Sequence, residues 1–432
     1  MRFRLLVVAI GLTVQAAWGA NLGDIYRLAR DNDPQYASAR EANKAGHEKE
    51  PQAHAGLMPS LLLSAFLRQN NVDSNKFGST DFMSPGLSLA LTHPLYRKQN
   101  REAYSQGQLQ TQQADEQLQA AEQDLLLRSA KAYFDVLQAQ DVLSFARAQK
   151  AAFAEQLAQA KKSFEVGTAT ITDTHEAQAR YDLTGAQEIA AINDIDVKRS
   201  ALERLIGRQA PELAGLQDKV VIPLLTPNNM QDWVKRAEAE GVPVQLAQTG
   251  LEIARHEVER QRGGHLPTLD LAANYSAINN QGVSGLSGVN TRTGVIGLEF
   301  NWPLYQGGLV DSRVREAVAN REKARFDLDN ARRQAVLDAR QGFLGVVSGD
   351  AQVKALEQAL VSTELQIRST KLGLEVGVRT RVDVLNAEQL IYSTQRDLSA
   401  ARYQTLLAAL QLKAAVGALG ETDLKAIDGL LK

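Results

Sequence analysis

Side chains that commonly do chemistry are sparse in this 432-residue chain, and their spacing does not build a catalytic centre. There is no cysteine, which removes thiol nucleophiles, thiolate metal sites, disulfides and Cys lipidation together. The histidines are His47, His54, His93, His175, His256 and His265, and none stands at a metal-ligand spacing from another. His175-Glu176 and His256-Glu257 lack the second histidine that a zinc-protease helix needs. All six read as surface histidines. Gly282-Val283-Ser284-Gly285 sets its serine too close to the second glycine for a nucleophile elbow, and reads as a flexible loop. No glycine loop is built to cradle phosphate. The chain therefore reads as a non-enzyme, with no cofactor and no metal. The residues that stand out instead come in pairs. Gly167 and Gly377 read as helix stops. Asp173, with Glu176 three residues on, reads as an N-cap pair, and Asp383 as its counterpart.

The pairing is general. Pro59, Pro94 and Gly167 recur as Pro267, Pro303 and Gly377, at offsets of 267 − 59 = 208, 303 − 94 = 209 and 377 − 167 = 210. The chain is a duplication with almost no insertions. The unit is too large for a solenoid repeat.

Each unit must position its residues with two strands and two helices. The 11 prolines all lie outside 95–210 and 304–432, and those stretches are rich in good helix formers. Leu118, Leu125, Ala132, Ala139, Ala146, Phe153 and Ala160 recur every seven residues, the period of a left-handed supercoil. Val136, Leu143, Leu157 and Phe164 form a companion row that Lys150 interrupts. A helix from about 100 to 164 would be roughly 100 Å long, which no compact globular domain needs.

The strands carry a period of two. Leu87, Leu89 and Leu91 alternate with Ser88, Ala90 and Thr92. Leu269, Leu271, Ala273 and Tyr275 alternate with Asp270, Ala272 and Asn274. Ile296, Leu298, Phe300 and Trp302 alternate with Gly297, Glu299 and Asn301. Apolar-out, polar-in segments of this length fit an outer-membrane barrel, with Asp270, Glu299 and Asn301 facing a wet lumen. A soluble two-sheet sandwich shares the alternation. Four strands cannot close a barrel, and an open edge cannot face lipid. Copies of the chain must pool strands, twelve from three chains or eight from two.

Composition agrees with a folded chain that meets water. It is 44% hydrophobic and 23% charged, and no 18-residue apolar run follows the N-terminus. A formal charge of −2 without a basic stripe argues against nucleic acid. Arg2 and Arg4, the apolar run Leu5–Val14, and Ala16, Ala17, Gly19 and Ala20 read as a signal peptide. Cleavage after Gly19 places Ala17 at the −3 position, whereas cleavage after Ala20 places Trp18 there. Loss of the two arginines leaves a charge of 46 − 50 = −4.

Several segments together carry a family resemblance. They are Gly377–Val384 (GVRTRVDV), Asp397–Tyr403 (DLSAARY), Ala415–Gly420 (AVGALG) with Asp423-Leu424, Ala132–Leu137, Gly264–Leu271 and Pro303–Gly308. Over nearly its whole mature length the chain resembles the TolC family of outer-membrane channel-tunnel proteins of Gram-negative bacteria. The resemblance implies an α+β membrane protein: a homotrimer with a 12-stranded outer-membrane barrel, four strands per chain, continued by a long α-helical barrel of coiled-coil hairpins in the periplasm. It implies a passive exit duct of an efflux pump or type I secretion system. Its partners would be a periplasmic adaptor, an inner-membrane transporter of RND or ABC type, and outer-membrane lipid.

The family's functional positions fall on particular residues. Asp383 matches the first of two aspartates ringing the periplasmic constriction, and the second position is Asn386. Arg379 matches an arginine that links to the neighbouring chain, with Thr172 and Asp173 matching its partners. The gate tyrosine falls on Leu374, which cannot hydrogen-bond. Val166, Gly167 and Thr168, with Val376, Gly377 and Val378, match adaptor-docking tips.

The expected organisation is a leader at 1–19, then a first repeat at 20–215. That repeat holds an N-terminal helix, strands at about 57–70 and 83–96, and helices at about 100–165 and 172–206. An equatorial linker follows at 216–230. The second repeat spans 231–417, with strands at about 265–280 and 292–304 and helices at about 308–375 and 382–416. An equatorial segment at 418–432 ends the chain. Two other readings combine long helices with a secreted chain. A periplasmic adaptor has no use for apolar-out strands, and a secreted coiled-coil adhesin needs no strand pairs.

Overall fold

The computed structural model describes residues 19–75, 78–217, 225–280 and 289–432. The leader lies outside these except for Gly19, as do linker residues 218–224 and the loop Gly282–Gly285.

The chain forms two compact units that cut across the repeats. One comprises Met1–Ala37, Glu122–Trp233 and Asp338–Lys432, and the other Ser38–Ala121 and Val234–Leu337. Each therefore draws on both halves of the duplication.

The second of these units holds the β-structure. Its strands are β1 (Ser60–Ser74), β2 (Gly78–Tyr96), β3 (Thr268–Asn280) and β4 (Val289–Asn301), antiparallel in the order β1-β2-β3-β4. The first pair is longer than the alternation suggested, and β4 stops before Trp302. The register slips between Pro94 and Tyr96, a bulge where proline cannot donate to the ladder.

Residues opposite one another share a face of the sheet. Leu61, Leu63 and Ala65 pair with Leu91, Leu89 and Leu87, which pair with Ala273, Tyr275 and Ala277. Leu269, Leu271 and Ala273 pair with Phe300, Leu298 and Ile296. One apolar face thus runs across all four strands, and it is bare: Leu63 is 68% exposed and Ile296 75%. The opposite face carries the row Ser64, Ser88, Ser276 and Thr293. Asp270 lies on that face, but it does not stand free in a lumen. It is 3% exposed, and the Arg97 guanidinium grips both its oxygens at 2.8 and 2.6 Å.

The helices are α1 (Leu22–Asn32), α2 (Pro34–His47), α3 (Lys49–Ala55), α4 (Lys98–Glu165), α5 (Ile171–Ile206), α6 (Met230–Glu240), α7 (Val242–Arg262), α8 (Leu309–Glu375), α9 (Arg381–Ala415) and α10 (Glu421–Asp428). Pro34, Pro51 and Pro243 all sit in first turns, where a missing N–H costs nothing. Among the described residues no helix is long and apolar enough to cross a membrane.

In the first unit the heptad seam does the packing. Leu125, Ala139, Ala146, Phe153 and Ala160 are buried, while Phe164, at the helix end, is exposed. Ala139 and Leu143 meet Ala191 and Ile195, and Leu157 and Ala160 meet Ala177, so α4 and α5 zip into a hairpin. Val353 meets Leu398 and Ala401, pairing α8 with α9 in the same way. The hairpins' base is closed by short elements. α10 packs on α1, Ala20 bridges to Leu213, and Leu216 bridges to Leu431.

Candidate functional site

The two hairpin tips are built alike. α4 ends at Glu165 and α8 at Glu375, an offset of 375 − 165 = 210. Gly167 and Gly377 adopt left-handed φ of 75° and 77°. In the first tip Thr168 N–H donates to Ser163 O at 2.8 Å and Gly167 N–H to Phe164 O at 3.0 Å. In the second, Val378 N–H donates to Gly373 O at 2.9 Å and Gly377 N–H to Leu374 O at 3.2 Å. These bonds satisfy the last helical carbonyls, and glycine is the residue that takes this φ without steric cost. Val166, Val376 and Val378 stand exposed beside the glycines.

The caps differ from the sequence expectation. The N-cap residues are Thr170 and Thr380, and Asp173 and Asp383 are the third residues of their helices. Asp383 Oδ2 accepts from the Thr380 N–H at 2.8 Å and hydroxyl at 2.9 Å. Thr380 Oγ1 accepts from the Asp383 N–H at 3.2 Å. Thr170 and Asp173 repeat the box at 2.9, 2.9 and 3.2 Å. Aspartate at this third position completes a capping box in place of the usual glutamate. Bonding to the Thr380 backbone and then its hydroxyl holds the Asp383 carboxyl below the ordinary range, with Arg379 adding a smaller pull. Thr170 does the same for Asp173, helped by Arg381. Glu176, expected to work with Asp173, instead faces Arg180 at 3.6 Å.

The remaining expected positions cluster around the second tip. The Arg379 side chain is exposed and, among the described residues, has no hydrogen-bond or ion-pair partner in its own chain, while its N–H donates to Gly373 O at 3.1 Å. Thr172 is exposed and Leu374 half-buried. Asn386 is exposed but engaged: Arg180 Nη2 of α5 donates to its Oδ1 at 2.9 Å, and Arg180 Nη1 to Gln389 Oε1.

Three further contacts join helices here and were invisible to sequence reasoning. Arg180 links α5 to α9. Arg381 Nη2 donates to Ser163 Oγ at 2.5 Å, linking α9 to the end of α4. Lys371 on α8 holds Glu388 on α9 at 2.9 Å. Glu388 is buried, with its other oxygen unpartnered. No spacing rule couples Arg180 to Asn386 or Arg381 to Ser163, 206 and 218 positions apart, and Lys371 and Glu388 lie on two different helices.

The histidines are not all free surface groups. His47 meets Asp115 at 2.7 Å, His265 meets Asp311 at 3.2 Å, and half-buried His256 meets Glu102 at 2.7 Å. Among the described residues no three metal-ligating groups come together.

The whole arrangement is one of surfaces: a bare apolar sheet face with open edges, and hairpin tips carrying charged and capped side chains. A family model described as outer membrane efflux protein matches residues 25–208 and again 233–418. The two matched spans are the duplication itself, since 233 − 25 = 208 and 418 − 208 = 210. This chain belongs to the outer membrane efflux protein family. The outer membrane protein TolC of Vibrio cholerae serotype O1 is 35% identical over 98% of this chain and 97% of its own length. The alkaline protease secretion protein AprF of Pseudomonas aeruginosa is 32% identical over 95% of this chain and 87% of its own. Among solved structures, the outer membrane protein VceC of Vibrio cholerae superimposes with a TM-score of 0.79 over 93% of this chain and 99% of that one, at 18% identity. The resemblance read from the sequence is thus borne out. As an outer membrane efflux protein the chain is an exit duct of the Gram-negative outer membrane, and the adaptor and adhesin readings fall away.

Proposed function

We propose that three copies of this chain pool their sheets into one twelve-stranded barrel, and that the hairpin tips close the duct at its periplasmic end. The observation that carries the assembly is the four-stranded sheet with one bare apolar face and, among the described residues, unpaired outer edges on β1 and β4. Lipid demands that every such edge be paired. At the hairpin tips, Asp383, Asn386, Arg379, Leu374, Thr172 and Asp173 would form the aperture. Among the described residues the Arg379 side chain has no hydrogen bond or ion pair in its own chain, which suits a bond to Thr172 or Asp173 of a neighbour. The tips Val166–Thr168 and Val376–Val378 offer small exposed apolar side chains to a periplasmic adaptor that would couple the duct to an RND or ABC transporter. One relative is named for protease secretion and the family for efflux, so both transporter types stay within this reading.

Residues 1–19 would be a cleaved leader. Ala20 belongs to the fold: its N–H donates to Glu212 O at 2.7 Å and its carbonyl accepts from Ala214 N–H at 3.0 Å. Cleavage after Gly19 keeps both bonds, whereas cleavage after Ala20 removes them.

The test is the mass of the folded particle in detergent. A trimer that runs as a monomer only after heating is expected. A stable folded monomer contradicts the assembly.

A further inference from the structure

Three side chains surround the Arg180 guanidinium near the second tip: Asn386, Gln389 and Glu176. It lies on α5, seven residues (180 − 173) beyond Asp173 and so about two turns up the helix. Its guanidinium reaches two acceptors on α9, Asn386 Oδ1 at 2.9 Å and Gln389 Oε1. Those acceptors are three residues apart and so share a face of α9. Glu176 Oε1, on its own helix, stands 3.6 Å from the same Nη2. A planar fork with several fixed donors can serve both acceptors together, whereas a lysine ammonium on a flexible stem cannot be pre-set to do so. Asn386 lies one turn beyond Asp383 on α9, so the Arg180 guanidinium is bonded to a side chain one turn from the capped carboxylate.

We propose that Arg180 is the clasp that holds α5 of the first hairpin against α9 of the second within each chain, and that its charge offsets the Asp383 carboxylate at the aperture. The proposal rests on the aperture reading above. It makes the local charge mixed: each chain contributes one carboxylate at Asp383 and one guanidinium at Arg180, the latter partly screened by Glu176. Asn386 suits this geometry because its amide oxygen accepts the bond without adding charge.

Two kinds of variant separate clasp from charge. Asn386→Ala with Gln389→Ala removes the acceptors and keeps the cation. Arg180→Gln removes the cation and the fork. Both are read as trimeric protein in planar bilayers, by single-channel conductance and by reversal potential across a KCl gradient. The acceptor variant should raise conductance severalfold with selectivity unchanged. Arg180→Gln should raise conductance equally and also shift selectivity toward cations by twofold or more. Adding Arg180→Gln to the acceptor variant should raise conductance no further. Arg180→Lys should keep the selectivity and raise conductance. Wild-type conductance in both the acceptor variant and Arg180→Gln overturns the clasp. Should Arg180→Gln not assemble, the acceptor variant and Arg180→Lys decide. Asp383→Asn in parallel keeps the two readings apart. If it lowers cation preference while the Arg180 and acceptor variants match wild type, the clasp alone fails. If it changes nothing, the aperture reading fails and the clasp with it.

Discussion

Thr380 and Asp383 satisfy each other's backbone at the mouth of α9, with the carboxylate accepting at 2.8 Å from the Thr380 N–H and the Thr380 hydroxyl accepting at 3.2 Å from the Asp383 N–H. A residue proposed to gate the duct is therefore also a structural cap. Only one carboxylate oxygen is used, so the other remains available to solvent or to ions. Thr380→Val keeps the charge and loses the hydroxyl, at a cost of about 1 kcal/mol. Amide exchange at residues 381–383 should accelerate in Thr380→Val. It should stay slow in Asp383→Asn, which keeps an acceptor. Equal exchange in both variants would show that the box does not order the tip.

Arg379 offers a second handle. Its side chain is exposed, near the Asp383 charge, and without a hydrogen bond or ion pair in its own chain among the described residues. If it grips a neighbour through charge-assisted bonds, Arg379→Ser should raise single-channel conductance several-fold. The change should be independent of Arg180, because one contact lies between chains and the other within one. Additive effects on the logarithm of conductance are expected. An unchanged conductance in Arg379→Ser removes it from the gate.

The tips should be tested through their valines. A Cβ at Gly167 or Gly377 meets no atom within 4 Å, but φ of 75° and 77° means a side chain there strains the turn by about 1 kcal/mol or more. A glycine variant would thus confound docking with tip geometry. Val166→Asp and Val376→Asp leave the backbone alone and place charge on exposed apolar positions of the proposed docking tips. Export should drop at least tenfold in the pair, with trimer level and bilayer conductance unchanged. Full export would move the docking site elsewhere.

Acid sensitivity has a definite sign at Glu257. Burial pushes its carboxyl up, but bonds from Arg260, Gln261 and Gln106 outweigh this and bring it down to about 2. A depressed folded value gives stability that is present above the ordinary Glu range and lost as pH falls toward 2. The contribution should be about 2 kcal/mol after allowing for partial exposure. Glu257→Gln should therefore lower stability at pH 6, and the gap to wild type should close as the pH approaches 2. A gap independent of pH assigns the loss to packing instead.

Much of the architecture was legible because it obeys short-range rules. Proline-free stretches give α4 and α8, a seven-residue seam marks α4, the glycines mark where each stops, and alternation gives the strands. The offsets near 210 place the second half on the first. Three features were not legible, each for a physical reason. Asp173 and Asp383 looked like N-caps because aspartate ranks high there, yet a threonine three residues earlier takes that place and leaves aspartate to close the box. Asp270 looked like a lumen carboxylate because strand alternation fixes a face but not a partner, and Arg97 follows β2 in the other half. Arg180 and Asn386 are 206 positions apart, so their bond follows from how two hairpins pack and from nothing periodic in either.

The central claim is that this outer-membrane duct is closed by its hairpin tips, with Asp383 at the narrowest point. The most direct measurement is the current carried by the purified trimer in a planar bilayer, for wild type and for Asp383→Asn. Discrete, small, cation-preferring conductance steps are expected in wild type. Multivalent cations should block them from the hairpin side, and cation preference and block should both weaken in Asp383→Asn. Steps whose selectivity and block are the same in both proteins, or no steps at all, would contradict the claim.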